Sequence, residues 1–151
     1  EPERHGIRLE DPDKTAETTR ASFDAVAHRE ALRRRLETLR TVFGLFGRVM
    51  VEKELRRGNG IEAVSYYHGT TLRPLIEVLR MRYAPAQHRF HTRYVYYDFP
   101  PDVVKRLERL FFVGDIGVLE ERMEEAVRWF DRAAADAERF LSAEGDDDAH
   151  N

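Results

Sequence analysis

Arg73, Arg80 and Arg82, then Tyr83, His88, Arg89, His91 and Arg93, gather guanidinium, phenol and imidazole groups into one reach of the sequence. Guanidinium groups grip carboxylates and phosphates through paired N–H donors. Imidazoles move protons near neutral pH. Arg73 and Arg80 are seven residues apart, so on an unbroken helix they share a face. Glu77 stands between them, and the plain alternative is ordinary helix ion pairing on a solvated face. Arg82 and His88 are six residues apart, and Pro85 separates them, so they do not share one helix. His88-x-x-His91 is a weak metal signal. No carboxylate pair completes it, so incidental surface histidines and no metal site are expected. Tyr66-Tyr67-His68 reads either as a ligand-contacting cluster or as a helix with one aromatic inward and one at the rim. Glu120, Glu121, Glu124 and Glu125 lie off an apolar stripe and read as a solvated helix face. A Gly-rich phosphate loop, G-x-S-x-G, H-E-x-x-H and Asp-x-Asp are all missing from the sequence.

Helices must position these groups. Residues 1 to about 12 read as a polar linker, and Asp13 as the cap of a first helix over Thr15 to Ala27. From His28 onward Leu32, Leu36, Leu39, Phe43, Phe46 and Met50 recur by fours and threes, with Val42, Leu45 and Val49 widening the stripe. Gly44 and Gly47 within it each weaken a helix by about 1 kcal/mol relative to alanine, which predicts close packing against another helix. Gly58-Asn59-Gly60 stops that helix. A second runs from about Ile61 to Arg82, burying Val64, Leu72, Leu75, Ile76 and Leu79. Pro74 predicts a kink, or a break near Gly69-Thr70-Thr71 with Pro74 in the first turn of a new helix.

Tyr83-Ala84-Pro85 ends the second helix and opens a long aromatic and basic segment, about 84–99, expected to be an irregular packed crossover. Arg93 to Tyr97 has strand-like composition but no evident partner strand, and reads as extended loop. Pro100-Pro101 starts a short helix with Val103, Val104, Leu107, Leu110 and Phe111 inward. Asp115 caps a last helix running to about Ser142, with Leu119, Met123, Ala126, Phe130, Ala133, Ala137 and Leu141 on one face and Trp129 in or beside the core. The tail 143–151 is expected to be disordered. The fold that follows is an all-α antiparallel bundle of four to five helices in one domain, 13–142.

Composition narrows the function classes. The chain has 151 residues, a net charge of −3 and 35% charged residues, against about a quarter in an average protein. No cysteine occurs, which removes disulfides, thiolate metal sites and a cysteine nucleophile. No apolar run approaches the ~18 residues of a membrane span, and a cytoplasmic setting is expected. The sequence opens on Glu1-Pro2 without an initiating methionine, so it is expected to be a piece of a longer polypeptide. Basic residues dominate from Tyr66 to Asp98, and acidic ones from Asp115 onward.

The run Val51 to Gly58, then Tyr66-Tyr67-His68 with Thr71-Leu72-Arg73-Pro74-Leu75-Ile76-Glu77-Val78-Leu79-Arg80-Met81-Arg82-Tyr83-Ala84-Pro85, then Tyr94 to Pro100 and Leu107-Glu108 resembles the C-terminal helical half of prokaryotic nucleotidyltransferase-like proteins. These are distant relatives of the aminoglycoside nucleotidyltransferases. The resemblance covers about residues 23 to 131. It implies a preceding α/β domain of the same polypeptide, with a Gly-Ser turn and an Asp-x-Asp pair that bind magnesium and a nucleoside triphosphate. The helical half closes the cleft and shapes the acceptor pocket. By that resemblance Tyr66, His68, Arg73, Arg80, Arg82 and Tyr83 face the cleft, and Glu77 is the carboxylate nearest to deprotonate an acceptor hydroxyl. Arg80, Arg82, Arg89 and Arg93 are expected to form its basic rim. The chain alone, without the catalytic half, is then inactive and holds no cofactor of its own. Two other readings stand beside this one. Arg82-x5-His88 fits the loose Arg-x(4–6)-His pattern of the HEPN helical ribonucleases, which implies an RNA-cleaving or RNA-binding module. The exposed sides of the long helices also suit a non-enzymatic interaction domain or homodimer.

Overall fold

The structure, a computed structural model, describes residues 12–147. The expected N-terminal linker, up to residue 11, and the last four residues lie outside the described residues. Every regular element described is helical. No described helix is long and apolar enough to cross a membrane.

The first helix, α1 (Pro12–Phe46), is continuous where two helices were expected. Leu32, Leu36, Leu39 and Phe43 are buried along it. The stripe stops there because Gly47 turns the chain. A Cβ at Gly47 would sit 2.7 Å from the Phe43 carbonyl oxygen and 2.9 Å from the Phe43 ring, so only glycine fits. Gly44, by contrast, faces open space. Gly47 therefore breaks α1 where both glycines were expected to admit a neighbouring helix. Val42, Leu45 and Phe46 before the break and Val49 after it are exposed, not core, and Met50 is half-buried.

A short α2 (Val49–Arg56) turns through Gly58, at φ +74°, into α3 (Gly60–Tyr66). Buried Glu54 accepts from Asn59 Nδ2 at 2.8 Å across this turn, and that bond holds its carboxyl below the usual range. A wide π-helical turn, Tyr67–Leu72, then leads straight into α4 (Arg73–Tyr83). Pro74 lacks the N–H that would reach back along the helix, and its ring crowds the preceding turn. The chain responds by widening one turn rather than breaking. Buried Thr71 fixes the wide turn by donating to the Gly47 carbonyl at 2.6 Å. Tyr67 OH donates to Leu110 O at 2.7 Å on the far side.

Partner residues define the helix directions. Arg33 reaches Leu141 O at 2.6 Å, Arg40 reaches Glu138 at 2.8 Å, Phe43 stacks on Phe130 at 3.7 Å, and Arg48 pairs with Glu124. Numbers rise along α1 and fall along α7 (Leu119–Asp147), so the two are antiparallel. The same logic, Arg35 with Glu77 and Gly47 with Thr71, sets α1 antiparallel to α4. Helices α4 and α7 thus run the same way, and α6 (Pro101–Phe111) returns antiparallel to α7: Arg106 lies 3.9 Å over the Trp129 ring and Arg109 bonds Glu125 at 3.2 Å.

The α7 stripe is buried at every expected position, Trp129 included, and Val103, Val104, Leu107 and Leu110 face inward from α6. Asp115 caps not α7 but the single 3₁₀ turn Ile116–Val118 ahead of it, accepting from Gly117 N at 2.9 Å. Helix α7 continues to Asp147, past the expected end at Ser142.

The segment between α4 and α6 leaves and returns at one end of the bundle, for Tyr83 meets Phe99 edge-on at 5.9 Å. It is a compact loop with its ends together. Inside it lie a 3₁₀ turn, Pro85–Gln87, and a helical turn α5 (Val95–Asp98) where extended chain was expected. His91 and Tyr94 take left-handed backbone at φ +53° and +62°, which reverses the chain twice and folds the loop back along α4.

Candidate functional site

The loop is held by one buried side chain. Arg80 is fully buried. Its Nε donates to His91 O at 2.9 Å, its Nη1 to Asp98 Oδ2 at 2.6 Å, and its Nη2 to Arg93 O. Its guanidinium carbon lies 5.2 Å from the Phe99 ring centroid. A charge so enclosed is stable only when paired and fully hydrogen-bonded. No buried side-chain polar atom among the described residues lacks a partner. The expectation that Arg80 lines a substrate-facing rim is therefore corrected. It ties down the loop and is out of reach of any ligand.

Two turns earlier on the same face of α4 the loop stands away from the helix. There a polar cleft of about 750 Å³ opens between α1, α4 and the loop. Helix α1 lends it His28 and Arg35, α4 lends Arg73 and Glu77, and the loop lends His88, Arg89 and His91. Glu77, 6% exposed, accepts from Arg35 Nε at 2.6 Å and from Nη2 at 3.0 Å. That bond raises the Arg35 pKa. Both Glu77 oxygens are engaged, so Glu77 serves here as the anchor of Arg35, not as a free carboxylate.

Arg73 donates from Nε to His91 Nδ1 at 3.2 Å, and its Nη2 lies 2.8 Å from His91 Nε2. Burial first, and the Arg73 charge second, hold the His91 imidazole below its ordinary pKa. Arg73 thus faces a ring that favours its neutral form, and makes no ion pair with a carboxylate among the described residues. Neither does Arg89. His88 lies 3.1 Å from the Pro85 carbonyl through Nδ1. The carbonyl can only accept, so Nδ1 carries a proton. The His28 ring stands 6.1 Å from that of His88.

The other expected site residues lie elsewhere. Arg82 and Tyr83 line a smaller recess of about 190 Å³ on the opposite side of α4, with Asp102, Arg106, Trp129 and Arg132. Arg82 and His88 thus open on different cavities. Arg93 lies 5.6 Å from the rings of both Phe90 and Tyr94 on the outside of the loop. Tyr66 is half-buried against the core, and exposed His68 packs on Phe111 at 5.5 Å, at the far end of the wide turn. Of the residues expected to face one cleft, the structure joins Arg73, Glu77 and Arg89. It adds Arg35 and His28, which carry no local signal beyond their residue types, and His88 and His91, which were expected to be incidental surface histidines.

Among the described residues no group of three His, Asp or Glu could hold a metal ion. Glu124 and Glu125 are half-buried and paired to Arg48 and Arg109, while Glu120 and Glu121 are exposed. The fold and site define an all-α bundle with one basic, histidine-rich cleft. No family model, curated protein or solved structure matches the chain, so the reading of that cleft rests on its own geometry and on the sequence resemblance.

Proposed function

We propose that the chain is the helical substrate-binding half of a nucleotidyltransferase-like protein, and that the cleft between α1, α4 and the loop is its ligand-facing side. One observation carries this reading. The segment with the densest resemblance, Thr71 to Pro85, supplies the wall of the cleft through Arg73 and Glu77. A cavity of about 750 Å³ is in the size range of small-molecule sites. In this reading magnesium and the nucleoside triphosphate bind mainly on a separate α/β half, which would supply the transfer chemistry. The residues here hold and orient a substrate group: Arg73 and Arg89 by charge, and His88 by hydrogen bonding, with His91 orienting Arg73. Substrate positioning alone contributes to rate by fixing the reacting geometry.

The test begins with the reading frame upstream of Glu1, where a Gly-Ser turn followed by Asp-x-Asp is expected. The longer protein should transfer label from an α-labelled nucleoside triphosphate, and Arg73→Ala should lower kcat/KM by about tenfold or more. An upstream segment without those motifs, or a longer protein with no transfer activity, removes this reading.

A further inference from the structure

We infer that the cleft binds a phosphate group carried by a small molecule. The inference rests on the preceding reading only in taking this cleft as the ligand-facing side, and it names the substrate class. The charge around the cavity is unbalanced. Arg35, Arg73 and Arg89 line it from α1, α4 and the loop, against the single carboxylate of Glu77. Arg35 and Glu77 cancel through their two-pronged pair. Arg73 and Arg89 remain as cations with no carboxylate partner among the described residues.

The imidazole of His91 cannot neutralise Arg73. Instead its one acceptor nitrogen takes a hydrogen bond from the guanidinium, which leaves the Arg73 charge uncancelled. His91 is itself fixed, because buried Arg80 grips its carbonyl at 2.9 Å. The cleft is thus built before a ligand arrives, which reduces the ordering cost of binding.

The chemistry selects phosphate. A cationic ligand would meet two uncompensated guanidiniums. A lone carboxylate carries one charge and two acceptor oxygens, too few for two arginines with His28, His88 and His91 beside them. A phosphate dianion brings matching charge and more acceptor oxygens. The phosphate has two sources in the proposed reaction: the triphosphate of the nucleotide or a phosphate on the acceptor.

Titration calorimetry of this chain with inorganic phosphate tests the inference, with ATP and glucose 6-phosphate as separate arms. Saturable phosphate binding is expected, weakened about tenfold in both Arg73→Ala and Arg89→Ala. Both side chains are exposed, so melting curves like that of the wild type should accompany the loss. Tighter ATP binding assigns the site to the nucleotide, and tighter glucose 6-phosphate binding to the acceptor. No saturable binding at millimolar phosphate, or an affinity unchanged in both variants, overturns the inference. Nucleotide transfer by the longer protein is scored separately. Phosphate binding without transfer keeps the inference and removes the functional reading. Transfer that falls in Arg73→Ala, with no phosphate binding, does the reverse.

Discussion

Arg73 and Arg80 are the same residue type on the same face of the same helix, two turns apart, yet they belong to different regions of the molecule. Around Arg80 the loop closes down. Two of its carbonyls and Asp98 surround the guanidinium, and Phe99 lies beside it. Around Arg73 the loop stands off and leaves a cleft. What separates a structural arginine from a binding arginine here is neither type nor helical position but what covers it. The two regions are also linked, because His91 gives its carbonyl to Arg80 and its ring to Arg73. The buried region positions the open one.

The largest effect should follow from breaking the covered region. Arg80→Ala removes the partner of Asp98 and of two loop carbonyls and leaves a void. Breaking a buried charge pair from one side costs about 3–5 kcal/mol. Arg73→Ala, at an exposed position, should stay within about 0.5 kcal/mol. Urea unfolding followed by circular dichroism measures both. Equal costs would mean that the two arginines are not divided as described.

Arg35→Ala comes next. Glu77 is 6% exposed and Arg35 48% exposed, so one partner stays wet and only the other is stranded. A buried acceptor without its donor costs about 1–3 kcal/mol, and the wet partner places this pair toward the lower part of that range. Glu77→Gln in the Arg35→Ala background should recover part of the loss by removing the stranded charge. A double-mutant cycle that shows no coupling would mean that Arg35 does not close the cleft floor.

Legibility followed the reach of the interactions. The α7 stripe was readable because Leu119, Met123, Ala126, Phe130, Ala133, Ala137 and Leu141 keep one period over a long helix. Pro74 was readable as a disturbance, though not as a widened turn, which depends on Thr71 finding the Gly47 carbonyl. The break at Gly47 was not readable, since glycine serves equally in close helix packing and in a tight turn. Its cost was the misplacement of Val49, which follows the turn. In the site, Arg73, Glu77 and Arg89 came from residue type and spacing. Arg35 and His28 sit on α1, far away in sequence, and only the tertiary fold brings them in. Arg80 was misread for the reverse reason: a long charged side chain is usually solvated, and nothing local announces that a loop will wrap it.

Tyr67→Phe probes the join between the wide turn and α6, away from the cleft. Burial pushes the Tyr67 hydroxyl well above its ordinary value, so it stays a donor to Leu110 O throughout the physiological range. Its loss should cost about 1 kcal/mol and leave phosphate binding unchanged. A change in binding would show that the cleft senses the wide turn ahead of α4, and would weaken the division into two local regions.

The smallest effect is the most specific to the link between them. Burial and then Arg73 depress the His91 pKa, with Arg80 and Arg35 acting in the same sense and Glu77 opposing. The folded protein therefore disfavours the imidazolium relative to the unfolded chain. That contribution to stability is fully present above the unfolded value of about 6.5. It is lost as pH falls through the lower folded value. Melting temperature should accordingly fall on acidification from pH 7 toward 5, and His91→Gln should flatten that part of the profile. Arg73→Ala removes one of the depressing charges, so the His91 ring proton signals, followed by NMR, should titrate at higher pH than in the wild type. Added phosphate should move them the same way, since an anion in the cleft favours the charged ring. A His91 titration indifferent to both Arg73→Ala and phosphate would mean that the ring does not face Arg73 in solution. The covered region would then hold the loop without positioning the open one.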